Sequence, residues 1–198
     1  NLQKVRLALW GCLKFGDLGL HYLWKMMKTL PCLQKITFAF SECLKITDAG
    51  LNDMKETLKN LTSLKKLRFE FYQCAEITDS GVAYLCQALA RFVGLKSLYA
   101  CLSYCSQITD IGAEKVIDCM SNLTNLEKIG IDLRDCAHLT DSSLKKISQY
   151  LEAQTSLKKI TLGVCDMTGI TEACYDEFFA DINSLGRQRP NIQIHYIY

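Results

Sequence analysis

Cysteines, a file of aspartates and three histidines are the residues of this 198-residue chain whose types and spacing suit chemistry. Cys12, Cys43, Cys74, Cys105 and Cys136 follow one another at intervals of 31 residues, and so do Asp17, Asp48, Asp79, Asp110, Asp141 and Glu172. A row of thiols suggests metal or redox work. Zinc, however, takes four ligands at the corners of a tetrahedron, whereas a ladder along one axis presents them in a line. Cys101 and Cys105 lie four apart, but no histidine or second pair completes a site. The acidic file resembles a cation ladder only until its neighbours are read: each acid follows a threonine (Thr47, Thr78, Thr109, Thr140, Thr171) or, in the first copy, Gly16. That order is a helix start, with the hydroxyl capping free N–H groups and the carboxylate beside the positive end of the dipole. His21, His138 and His195 occupy unrelated columns, and no phosphate-binding glycine loop is present. The expectation is a non-enzymatic protein with no catalytic residues, no metal, no cofactor and no small-molecule substrate.

The interval itself is the stronger signal. Leu2, Leu33, Leu64, Leu95, Leu126 and Leu157 anchor six copies with no insertion between any two. Self-similarity at a period of 20 to 50 residues marks a solenoid or other array. Apolar residues stand three, five and seven positions after each anchor, as in Ile36, Phe38 and Phe40 or Leu67, Phe69 and Phe71. Apolar residues at every second position predict a strand with one face buried. The cysteine ten after the anchor, and Phe15, Ile46, Ile77, Ile108, Leu139 or Ile170 thirteen after it, carry the chain across the core to the threonine cap. Apolar residues then recur at helical spacing, as in Leu51, Met54, Leu58 and Leu61. A strand of about six residues and a helix of about fourteen cannot bury their apolar faces alone, so the units must stack, strands in one parallel sheet and helices in another layer.

Composition agrees with an ordered protein: 49% of residues are apolar and the formal net charge is only +2. No run of about 18 apolar residues occurs, so no membrane span is expected. The cysteine count of eleven is odd, and most cysteines sit at apolar repeat positions. Both facts favour a reducing compartment over a disulfide framework, and the expected location is cytoplasmic, with nuclear or ciliary as alternatives.

With these columns in place, the chain resembles a leucine-rich repeat protein. The stretch Cys74-Ala75-Glu76-Ile77-Thr78-Asp79-Ser80-Gly81 and its copies resemble the cysteine-containing repeats of F-box proteins. The helical segment is nearer in length to that of ribonuclease-inhibitor-like repeats, and the strand carries one extra apolar position (Phe40, Phe71) before the cysteine. The resemblance implies a curved α/β solenoid with the parallel sheet on the concave face and helices on the convex face. Six repeats starting near 2, 33, 64, 95, 126 and 157 would form a solenoid over residues 1–187, closed by a strand in 188–198. The first copy opens directly on a strand, so a preceding repeat or domain is expected.

Two sets of residues on this scaffold are candidates for binding. Lys4, Lys35, Lys66, Lys128 and Lys159 stand two after the anchors, with Ser97 the exception. Stacked at strand spacing they form a basic ledge. It solvates the edge of the sheet and discourages packing mistakes; a second reading is attraction of an acidic tail or a nucleic-acid backbone. Nucleic acid is the less favoured partner, because net charge is small and aromatics are not interleaved with the lysines. The second set comprises positions four, six, eight and nine after the anchors, which point out of the concave face and vary from copy to copy. Copies three to five thereby offer Arg68, Glu70, Tyr72, Tyr99, Tyr104, Asp132 and Arg134 as a partner-binding patch. Tyrosine and arginine dominate interface hot spots.

The functional expectation is a protein–protein interaction scaffold that holds a protein partner on its concave face and works within a larger complex. Two alternatives stand beside it. The F-box resemblance implies the substrate-recognition region of a ubiquitin ligase, which requires an upstream F-box. The third possibility is a structural subunit of a cytoskeletal or ciliary assembly.

Overall fold

The computed structural model describes residues 2–198, and the side chains of all of these except Glu56, Thr57 and Lys59. Strands and helices alternate along the chain: β1 (Lys4–Trp10), α1 (Asp17–Met27), β2 (Lys35–Ser41), α2 (Asp48–Asn52), α3 (Met54–Thr57), β3 (Lys66–Glu70), α4 (Asp79–Leu89), β4 (Ser97–Cys101), α5 (Asp110–Ser121), β5 (Lys128–Asp132), α6 (Asp141–Ala153), β6 (Lys159–Gly163), α7 (Glu172–Gln188) and β7 (Gln193–Tyr196). All seven strands form one parallel sheet in sequence order. Strands repeat at about 4.8 Å and packed helices at about 8–10 Å, so the coil bends with the sheet on its inner side. The molecule is the α/β repeat solenoid that the 31-residue period predicts.

Register shows why the columns repeat. Lys35 pairs with Lys66, Ile36 with Leu67 and Phe38 with Phe69, so each residue lies beside its counterpart in the next coil. Like then stacks on like through the core. Phe38 and Phe69 stack at 6.1 Å between ring centres, Phe40 and Phe71 meet at 5.7 Å, and the Trp24 indole meets Phe38 edge-on at 5.4 Å. The cysteine column is part of this core. The Cys74 thiol donates to the Phe40 carbonyl at 3.1 Å, Cys105 to Phe71 at 3.0 Å and Cys136 to Leu102 at 3.2 Å, each reaching back to the preceding coil. Burial pushes the thiols of Cys74 and Cys136 up to about 12, so they are neutral donors at any ordinary pH. Iodoacetamide added to the native protein is therefore expected to label exposed Cys32 while Cys74, Cys105 and Cys136 react only as the protein unfolds, as mass spectrometry of the digested protein would show. Early labelling of Cys105 would contradict this packing.

The aspartate column does more than face its own dipole. Each Asp at the start of a helix also accepts two hydrogen bonds from the threonine of the next coil. Asp79 takes Thr109 N–H at 2.9 Å and the Thr109 hydroxyl at 2.6 Å; Asp17, Asp48, Asp110 and Asp141 repeat the pattern with Thr47, Thr78, Thr140 and Thr171. The threonine oxygen in turn caps its own helix, as Thr109 does for Ile111 N–H at 3.2 Å. Two features depart from expectation. Strands β3 to β6 span five residues rather than six, although Phe71, Leu102 and Leu133 still donate to the next coil just beyond them. The second helix divides between Asn52 and Met54, where the Trp24 indole N–H occupies the Gly50 carbonyl at 2.9 Å. That carbonyl would otherwise receive the N–H four residues on, and Gly50, Asn52 and Asp53 are weak helix formers.

Candidate functional site

Positions four and six after each anchor project from the open face of the sheet, and register aligns Arg68 beside Tyr99 and Gly130, and Glu70 beside Cys101 and Asp132. From there the side chains link into one network across three strands. The Arg68 guanidinium carbon lies 3.6 Å from the centre of the Tyr99 ring, and its Nε donates to Glu70. The Tyr99 hydroxyl reaches Asp132 at 3.4 Å. Tyr99 can lie across the next strand only because that strand offers Gly130: a Cβ there would stand 2.1 Å from the ring. Gly163 on β6 likewise leaves room for Asp132, whose oxygen lies 2.4 Å from the place of an added Cβ.

Asp132 is the centre of the network and its side chain is only 2% exposed, so the carboxylate is buried rather than offered to solvent. Its oxygens accept Arg134 Nε at 2.9 Å and Nη2 at 3.0 Å, a two-pronged pair, as well as the Ser103 hydroxyl. Burial alone would raise the Asp132 pKa; donation from Arg134 and Ser103 outweighs it and holds the carboxyl below its usual range. Arg134, 19% exposed at the side chain, also donates from Nη1 to the Tyr198 carbonyl at 2.8 Å. Burial and the Asp132 charge together raise the Tyr99 phenol. Asp132 thus gathers donors from Arg134, Ser103 and Tyr99, and Arg134 in turn is tied to the Tyr198 carbonyl.

Tyr72 and Tyr104 form a separate feature at the other end of the strands. Their rings meet at 4.9 Å, and Tyr104 is 40% exposed. Position nine, read from sequence as one more outward column, is a turn: Glu42, Gln73, Tyr104, Asp135 and Asp166 all have φ between 54° and 61°. Left-handed backbone disfavours a side chain, and glycine occupies the column only at Gly11. An aromatic ring held there is placed outward at the rim. A hydrogen bond to Asp135 and the charge of that carboxylate push the Tyr104 phenol up to about 12. Of the seven residues proposed from sequence, the structure joins Arg68, Glu70, Tyr99, Asp132 and Arg134 in one network and sets Tyr72 and Tyr104 apart as a pair. Ser103, Gly130 and Gly163 complete the arrangement and were not singled out. The signal available for the glycines was their place in columns otherwise filled by larger side chains.

The basic ledge is real in the register: Lys4, Lys35, Lys66, Ser97, Lys128 and Lys159 pair in succession from β1 to β6. Beside it, Glu127 takes Lys96 at 2.8 Å and Lys158 at 2.9 Å, and these bonds lower its carboxyl to about 2. Among the described residues no three His, Cys, Asp or Glu side chains are grouped so as to hold a metal ion. No helix among them is long and apolar enough to cross a membrane. Fold and site define the class as an α/β repeat solenoid with a structured polar face on its sheet. Comparison with protein families and with curated proteins found no match.

Proposed function

We propose that this chain is a leucine-rich repeat module without catalytic activity, which holds a protein partner against the open face of its sheet. The observation that carries the reading is the Tyr72–Tyr104 pair, whose rings meet at 4.9 Å, tilted by 53° and partly exposed, on the same face as a polar network closed by its own hydrogen bonds. Paired tyrosines offer large, stiff contact area at low entropic cost, and a pre-ordered floor leaves little to rearrange on binding. Within the leucine-rich class, the thiols that reach back to the preceding coil favour the cysteine-containing repeats found in F-box proteins. On that reading, the partner is a substrate presented to a ubiquitin ligase.

A photo-crosslinking residue installed at Tyr72 tests the assignment against the same residue at Gln149, exposed on α6 of the helix layer. Crosslinked species of discrete mass from a cell extract are expected at position 72, and Tyr104→Ala should suppress them at least about tenfold, the equivalent of one lost hot spot. Equal crosslinking from position 149, or no effect of Tyr104→Ala, would move the interface off the sheet.

A further inference from the structure

The lysine ledge borders a groove that the tyrosine pair does not explain. On the open face, a groove of about 450 Å³ runs across the strands, with Lys35, Lys66, Lys128 and Lys159 along one side and Thr37, Arg68, Tyr99 and Gly130 among its floor residues. It continues toward β1 past Lys4 and Arg6, sharing Lys35, Thr37 and Arg68. At β5 the floor is the Tyr99 ring lying over Gly130, and at β6 it is the small side chain of Thr161.

Its charge is uncompensated. Among the described residues Lys4, Lys35, Lys66, Lys128 and Lys159 make no ion pair, whereas the neighbouring Lys96 and Lys158 share Glu127. Among the described lining residues of the two connected grooves Glu70 is the one carboxylate, and Arg68 occupies it. Like charges stacked at strand spacing repel one another, and among the described lining residues no free acid relieves them; an anionic ligand would.

Spacing narrows the ligand. Alternate strands lie about 9.6 Å apart, and three residues of extended peptide span about 10 Å. Lys4, Lys66 and Lys128, on β1, β3 and β5, form an unbroken alternate series, and the gap at Ser97 falls between its members. A nucleic-acid strand would look for open aromatic faces on which to stack its bases. Tyr99 is the groove's only aromatic ring among the described lining residues, and one of its faces is already covered by Arg68 at 3.6 Å.

We propose that this lysine-walled groove seats an extended acidic segment of a protein partner, lying across the strands with a carboxylate at every third residue facing Lys4, Lys66 and Lys128. The proposal rests on the reading of the sheet face as a protein-binding surface and gives that partner its chemistry. Tyr72 and Tyr104 lie about six residues farther along the strands, roughly 20 Å from the ledge, so they engage a different part of the same partner.

The test is fluorescence anisotropy with three labelled probes: a peptide of about ten residues, long enough to cross the sheet, with glutamate at every third position; the same composition with its glutamates in one block; and a single-stranded DNA of similar length. The spaced peptide is expected to bind at least about tenfold more tightly than the blocked one, and more weakly as salt rises. Lys66→Glu with Lys128→Glu should weaken it at least about tenfold, while Lys115→Glu on α5 leaves it unchanged. If the double reversal lowers the unfolding midpoint, Lys66→Gln with Lys128→Gln provides the reading, with a smaller loss in the same direction. Equal affinity for both peptides, tighter binding of the DNA, no peptide binding, or indifference to the lysine variants would each overturn the proposal. Crosslinking from Tyr72 reads the other end of the face and fails or succeeds independently.

Discussion

Asp79→Ala is expected to lower the free energy of unfolding by about 3 kcal/mol, the loss of two charge-assisted hydrogen bonds in a partly buried place. The Asp79 carboxylate holds Thr109 through both its N–H, at 2.9 Å, and its hydroxyl, at 2.6 Å, and so joins the start of α4 to the start of α5. Without it, the Thr109 N–H has no acceptor and the cap of α5 is loosened. The same carboxylate explains the glycine at the third position of α5. A Cβ added to Gly112 would stand 2.3 Å from Asp79 Oδ1, and the corresponding glycines, Gly50 and Gly81, face Asp17 and Asp48 at 2.5 and 2.2 Å. Gly112→Ala should therefore displace the carboxylate and destabilise, but cost much less in an Asp79→Ala background. Additive effects in that double-mutant cycle would exclude the coupling. The fifth coil shows the other solution: Ser143 stands in the glycine column and donates its hydroxyl to Asp110. Gly112→Ser is accordingly expected to be milder than Gly112→Ala, and Gly112→Val worse than both. Urea unfolding of the series gives the order directly.

Asp132→Ala should cost about 3–5 kcal/mol, as removal of one partner from a buried ion pair does. Arg134 would be left with a half-sequestered charge, and Ser103 and Tyr99 would lose their acceptor. Replacing both partners by apolar residues, Asp132→Leu with Arg134→Met, should recover most of the loss, because the penalty comes from the orphaned charge rather than from the absence of the pair. Failure of the double variant to recover stability would mean that the network shapes the sheet face in some further way. Acid sensitivity has a definite sign. The folded carboxyl of Asp132 lies below its unfolded value of about 3.9, so its contribution is fully present above that pH and is lost as pH falls through the folded value. Asp110 adds to the same limb: burial raises its carboxyl, but bonds from Ser143 and Thr140 win and lower it. Asp132→Asn should flatten the fall in stability below about pH 4 while leaving a second, smaller fall from Asp110 and from Asp141, whose bonds from Thr171 lower its carboxyl.

Much of the fold was legible because a solenoid converts sequence spacing directly into spatial spacing. Once the anchors Leu2 to Leu157 recur every 31 residues, the next copy must lie beside the last, and the residues that face the core can be counted off without knowing any long-range contact. The threonine caps, the buried cysteines and the alternation of strand and helix were all local patterns, set by hydrogen-bonding chemistry and hydrophobic period. The columns in which the copies differ were visible in the same way, but not which of their residues face solvent: position nine is a turn and Asp132 is buried.

What the sequence could not decide was the relation between neighbouring coils at the level of single atoms. That Asp79 reaches forward to Thr109, that Trp24 takes a carbonyl from the second helix, and that position nine turns left-handed depend on how far one coil is displaced from the next. The candidate site shows the same division. Seven residues were named from their columns, but only the sheet, by laying Tyr99 over Gly130 and closing Arg134 onto Asp132, separates those that hold one another from the tyrosine pair left open at the rim. A repeat period sets which residues become neighbours; the burial and hydrogen bonds they then find among themselves decide which remain available to a partner.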